Sequence, residues 1–185
     1  MNRRRMHTTI SLLLGGWLLG TIVVGFVAAE NFWIIDRLLA SEAHPAFERG
    51  IAALDAQTAA GEGRTLLRYL SSEMNRLYFR AWGGCEALLA LALVLLAFGI
   101  RDKRLRIGFS VMLALVAVTE LFLMPRIVEV GRALDFVPRS PAPPALATFG
   151  MLHAAYSALD LIKLLVGFSM AWLLLRPASS AERDS

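Results

Sequence analysis

Four charged residues stand inside runs that are otherwise apolar: Glu86, Glu120, Asp160 and Lys163. In a bilayer, a charge well inside such a run costs about 2.5 to 3.5 kcal/mol on insertion scales, so each needs a partner, water or a purpose. On the last run His153, Tyr156, Asp160 and Lys163 recur at spacings of three, four and three, which puts them within about 80° of one helix face. Asn75, Tyr78, Trp82 and Glu86 form a similar stripe on the second run if its helix is continuous. Turned inward, the two stripes and Glu120 would gather three carboxylates, an ammonium, an imidazole and two phenols. Two chemistries fit that set. Lys163 can pair with Asp160 at i,i+3, or with Glu86 or Glu120 across helices, as polar glue that fixes registry. Alternatively the carboxylates carry protons or hold a cation or small ligand, with Lys163 as counter-charge and His153 as a gate near the mouth. The residue types leave both open.

The elements that must position these groups are transmembrane helices. The chain has 185 residues, 57% hydrophobic and 18% charged, with a mean hydropathy of +0.57, which lies outside the range of a soluble domain of this size. Four apolar runs, at about 9–29, 81–100, 107–124 and 156–175, are each long enough to span a bilayer. Every backbone polar group in the hydrocarbon core must be satisfied within its own segment, so the spans are helices, and no run has the period of two that a β-barrel needs. The expected fold is an all-α, integral membrane four-helix bundle, a single membrane domain over 1–185. The first run could be read as a secretory signal, with Val27-Ala28-Ala29 at a plausible cleavage position, but its apolar core exceeds the ~7–15 residues of a signal h-region. It is read as a retained anchor.

Orientation follows from the basic residues. The N-terminal tail, the turn 101–106 and the C-terminal tail hold nine Arg/Lys against three Asp/Glu in a short stretch of chain. The segments 30–80 and 125–149 also hold nine, spread thinly and matched by nine acidic residues. The positive-inside rule therefore puts both termini on the cytoplasmic side of the cell (inner) membrane, and 30–80 and 125–149 outside. Counted at 1.5 Å per residue from the outer ends, Glu120 and Asp160 lie about 6 Å deep and Glu86 and Lys163 about 10 Å deep. All four fall in the outer half.

The outer segments carry their own patterns. Phe47, Ile51 and Leu54 have helical spacing within 45–60, and Gly61-Glu62-Gly63 breaks that helix. From Thr65 to Arg80, Leu66, Leu70, Met74 and Leu77 alternate with Arg68, Glu73 and Arg76 and run unbroken into the second span, as an amphipathic interfacial extension does. Pro138, Pro141, Pro143 and Pro144 predict an extended outer loop. Pro125 is expected to close the third span. Gly16 and Gly20 form a GxxxG pattern that permits close helix approach, within the bundle or between protomers of a homo- or hetero-oligomer. Trp17, Trp33, Trp82 and Trp172 are assigned to an aromatic belt.

Signatures of enzymes are missing: there is no phosphate loop, nucleophile elbow or HExxH pair. One cysteine, Cys85, excludes an internal disulfide and a Cys-rich metal site. Three histidines, of which only His153 is near a span, do not suit a bis-histidine haem, and the scattered methionines do not suit a copper relay. No cofactor or metal is expected. The net charge of +4 sits at the flanks of apolar runs, where it sets topology, so nucleic acid is not an expected partner; the lipid bilayer is.

The order of motifs resembles a known family. A Gly-rich first span, Leu66-Leu67-Arg68-Tyr69-Leu70 leading to Asn75-Arg76-Leu77-Tyr78-Phe79, then Met124-Pro125-Arg126-Ile127, and finally Phe149-Gly150-Met151-Leu152-His153-Ala154-Ala155-Tyr156 with Asp160 and Lys163 resemble the transmembrane protein 205-like family, a membrane domain of unknown function. The most specific part is the Phe-x-x-Leu-His-x-x-Tyr opening of the last span. The resemblance implies a four-helix membrane fold without an established activity.

Overall fold

The computed structural model describes residues 3–58, 61–100 and 102–176. Arg101 and the tail 177–185, both used in the charge argument, lie outside the described residues, as do 59 and 60 at the end of the expected 45–60 helix. Among the described residues six α-helices follow one another: α1 Arg3–Arg37, α2 Pro45–Gln57, α3 Glu62–Phe98, α4 Lys103–Val118, α5 Met124–Ala133 and α6 Pro144–Leu175. A π-helical turn, Thr119–Leu123, joins α4 to α5 without a break, and another, Leu38–Glu42, extends α1. Among the described residues, four helices are long and apolar enough to cross a membrane: Arg4–Ala40, Glu62–Phe98, Lys103–Ala133 and Pro144–Leu175.

The four long helices form a ring in the order α1, α3, α4, α6, closed by packing of α6 on α1. Their outward faces are apolar and bare: Leu12 and Leu88 are each 71% exposed and Leu175 76%. Glu86 and Lys163, by contrast, are buried at 0% and 2%. Apolar side chains outside and charges inside is the distribution expected when lipid, not water, covers the helices.

The end of the bundle holding the α3–α4 turn is a dry core. Ile10, Leu14, Leu93, Ala97, Phe109 and Met112 are buried there, with Met170 from α6. Asp102 caps α4 by accepting the Arg104 N–H at 2.8 Å, satisfying one of the free donors of its first turn.

The opposite end is more helical than the apolar runs alone suggest. α1 continues past Ala29, and α3 begins at Glu62, so the amphipathic extension expected for 65–80 is one rod with the second span. Gly61 takes φ +91°, a left-handed conformation suited to glycine, and the Asp55 carboxylate accepts the Gly61 and Gly63 N–H groups at 3.2 and 2.8 Å. This turn lays α2 back on α3.

Two expectations are corrected. Pro125 does not end the third helix, because the π turn immediately before it, in which the Met124 N–H donates to the Thr119 carbonyl five residues back, widens the helix where the proline ring would clash and its missing N–H would break the usual ladder. Of the four prolines read as loop, Pro144 instead opens α6, a position where a fixed φ and an absent N–H carry no penalty.

Candidate functional site

The α1–α3 pair is held by an interhelical polar ladder. Near the bundle centre the Trp17 indole N–H donates to Glu86 Oε1 at 2.6 Å. Further along, the Asn75 amide donates to the Ala28 carbonyl at 2.9 Å and accepts from the Asn31 amide at 2.6 Å. Ser71 Oγ donates to the Asn31 carbonyl at 2.9 Å, and Arg64 pairs with Asp36 at 2.5 Å. As the α1 position advances from 17 to 36, its α3 partner falls from 86 to 64, the signature of an antiparallel pair whose register drifts by about three residues over roughly 30 Å.

Glu86 is the centre of a buried ionic cluster. Lys163 Nζ donates to both of its oxygens, at 2.9 and 2.8 Å, and lies 2.8 Å from Asp160 Oδ1 one turn earlier on α6. Asp160 remains a quarter exposed. In the ring order α3 and α6 stand opposite each other, so this pair crosses the bundle interior. The fourth helix contributes Glu120 from the π turn. Its carboxylate lies over Gly83, where a Cβ would overlap it, and Oε1 is buried without a hydrogen-bond partner. Glycine at 83 thus leaves the space that the Glu120 carboxylate occupies.

Of the residues singled out in the sequence, Glu86, Asp160 and Lys163 are in direct contact, and Glu120 approaches one turn away along α3. Tyr156 is buried above them with its ring edge-on to Phe79 at 5.7 Å. His153 does not join the cluster: it is exposed and stacks on Phe149, with ring centroids 6.0 Å apart. Trp17 was missed as a site residue. Its assignment to an aromatic belt is overturned by 2% exposure and by its bond to Glu86; the available signal was its place in mid-run, far from either end of the first span.

Gly16 and Gly20 do different things. A Cβ at Gly20 would enter the Trp82 ring of the same chain, whereas one at Gly16 meets nothing within 4 Å. Gly20 thus serves the α1–α3 contact inside the protomer, and Gly16 faces outward.

Beyond the cluster, away from the dry core, a cavity of about 270 Å³ opens between α1, α3, α5 and α6. Tyr156 and Asn75 lie buried in its lining, Phe79, Met124, Ile127, Val128 and Phe149 supply apolar walls, and Arg68, Arg139 and His153 are exposed at its rim. Arg76 is fixed in the wall by Asp135, at 2.9 and 3.0 Å, and by Glu73. Among the described residues no group of His, Cys, Asp and Glu is arranged to hold a metal ion.

These features define a four-helix, multi-span membrane protein with a buried ionic cluster beneath an open cavity. Compared with protein-family models, curated proteins and solved structures, the chain finds no match.

Proposed function

We propose that this chain is a structural or accessory component of the cell (inner) membrane, of the transmembrane protein 205-like type, with both termini cytoplasmic. The observation that carries the structural role is the Glu86–Lys163 pair: it lies in the bundle interior, takes Trp17 from α1 as a further donor, and sits at the level where Glu120 of the α4–α5 rod meets α3. Such a bridge fixes helix registry, the best-attested use of a buried ion pair. Below it, the buried apolar residues Leu14, Leu93, Phe109 and Met112 offer a proton or ion no polar stepping stones. The family assignment is supported by where its motif residues fall: Arg68, Arg76, Phe79, Ile127, Phe149 and His153, distant in sequence, line one cavity.

The test is flux. In vesicles holding a pH-sensitive or cation-sensitive dye, the reconstituted protein is expected to pass no more protons, Na⁺ or divalent metal than empty vesicles. Flux that disappears in a folded Lys163→Met variant would overturn the structural role.

One observation favours a second reading, in which the cluster binds a proton or cation from the outer side. Three carboxylates face a single ammonium, and Glu120 Oε1 is buried without a partner. Saturable cation binding lost in Glu120→Gln, without flux, would support it.

A further inference from the structure

The cavity at the outer end has features that helix cohesion does not explain. An interior built only for packing is filled to crystal-like density, yet here about 270 Å³ stands open, close to the lower end of the ~300–1,000 Å³ typical of small-molecule pockets. Its polar groups are unequally engaged. Arg76 is occupied by Asp135 and Glu73. Arg68 and Arg139 are exposed and make no ion pair among the described residues, and His153 lies on the same rim.

The resulting polarity is directional. The rim is cationic, the walls are aromatic and aliphatic, and beyond the buried Tyr156 lies a cluster in which carboxylates outnumber the single lysine. An anionic group is favoured at the rim and opposed at depth, while hydrocarbon is favoured between. We propose that this cavity binds a single-chain anionic amphiphile of the fatty-carboxylate class, its head held by Arg68 and Arg139 and its chain against Ile127 and Phe149. The volume suits one acyl chain of modest length rather than two chains side by side. Guanidinium groups suit the head because they match a carboxylate with paired donors. This inference goes beyond the structural role proposed above and does not depend on the fate of the ion pair.

The experiment uses the full chain in zwitterionic phosphatidylcholine nanodiscs, photolabelled with decanoate that carries a diazirine at the chain end. Crosslinks are expected on peptides containing Ile127 and Phe149, with saturation. Decanoate is expected to compete and decyltrimethylammonium not. The Arg68→Gln/Arg139→Gln variant is expected to weaken labelling about tenfold or more, the scale of losing a charged hydrogen bond. Arg126→Gln, which removes an exposed arginine outside the lining, is expected to leave labelling unchanged. The two rim arginines are exposed, so the double variant should keep wild-type thermal stability. Equal competition by the cationic amphiphile, or labelling spread over lipid-facing Leu12 and Leu95, would overturn the proposal. So would occupation of the site by phosphatidylglycerol, seen as loss of labelling when that lipid replaces phosphatidylcholine, because it would assign the rim to a membrane headgroup.

Discussion

Replacing Lys163 by methionine keeps an unbranched side chain one atom shorter and removes the cation of the cluster. Glu86 then retains one donor, the Trp17 indole, and faces Asp160 across the space the ammonium had neutralised. Stranding a buried charge in this way costs about 3–5 kcal/mol, and at roughly 2–4 °C per kcal/mol for a chain of this size the midpoint should fall by about 6–20 °C. Glu86→Gln is milder. The amide oxygen of the introduced glutamine can still accept from Trp17, and Lys163 keeps Asp160 at 2.8 Å, so the expected loss is about 1–3 kcal/mol, that of a weakened buried bond. The informative quantity is the double variant. Glu86→Gln removes the charge that Lys163→Met strands, so the two losses should be sub-additive by about 2–3 kcal/mol. Thermal unfolding in detergent, followed by loss of the monodisperse peak on size exclusion, measures all three. Additivity within about 0.5 kcal/mol would show that the two side chains do not act on each other, and the registry argument would fall with that result.

Further outcomes follow from single contacts. Gly83→Ala places a methyl group against the Glu120 carboxylate, the far end of a flexible side chain, so the loss should sit at the low end of overpacking, about 1 kcal/mol, and vanish in a Glu120→Ala background; a loss that persists in that background would contradict the geometry. Gly20→Ala should destabilise through the Trp82 ring, while Gly16→Ala should leave the monomer unchanged; a Gly16→Leu variant that shifts mass on native mass spectrometry would place an oligomer interface on that outward face. Asn75→Leu deprives the Ala28 carbonyl and the Asn31 amide of their partner and should cost about 1–3 kcal/mol, with faster backbone hydrogen exchange at the outer end of α1 as the local readout. For orientation, in a Cys85→Ser background Ser140→Cys should react with an impermeant maleimide in intact cells and Lys103→Cys only after permeabilisation; the reverse pattern would invert the proposed topology.

The four long helices could be read from hydropathy because lipid imposes a simple rule on backbone satisfaction. The polar faces that carry Glu86 and the Asp160/Lys163 pair were legible from helical spacing, since few charges remain inside apolar runs without partners, while their meeting depended on how the helices turn. Which helices those charges would bridge was not. Lys163 had three candidate carboxylates at equal standing in the sequence, and only the ring order, with α3 opposite α6, selects Glu86 along with the local Asp160. Trp17 eluded the reading because tryptophan at membrane interfaces is so common that the rule outweighed its central position. Pro125 eluded it because helix termination by proline presumes a regular ladder, and a π turn is set by a neighbourhood that one residue does not reveal. The Arg76–Asp135 pair joins positions 59 residues apart, on α3 and in the turn after α5, a contact that neither segment's own periodicity encodes.

The two halves of the bundle differ because different forces hold them. Toward the α3–α4 turn, α1 and α3 meet through Ile10, Leu14, Leu93 and Ala97, contacts that carry no hydrogen bonds and little registry information of their own. From Trp17 toward the other end the same helix pair is indexed by Glu86, Asn75 and Ser71, each satisfying a buried or part-buried partner that a one-residue slip would leave bare. The half of the bundle that holds this ladder is therefore the part indexed by polar contacts, and it is also the part that contains the cavity. In that half the wall residue Arg76 is tied to the turn after α5 through Asp135, and the wall residue Asn75 to α1 through Ala28. Collapse would have to break both ties. The Asn75 and Arg76 contacts that fix the cavity wall are thus distinct from the Glu86–Lys163 bridge, and each can be perturbed without the other.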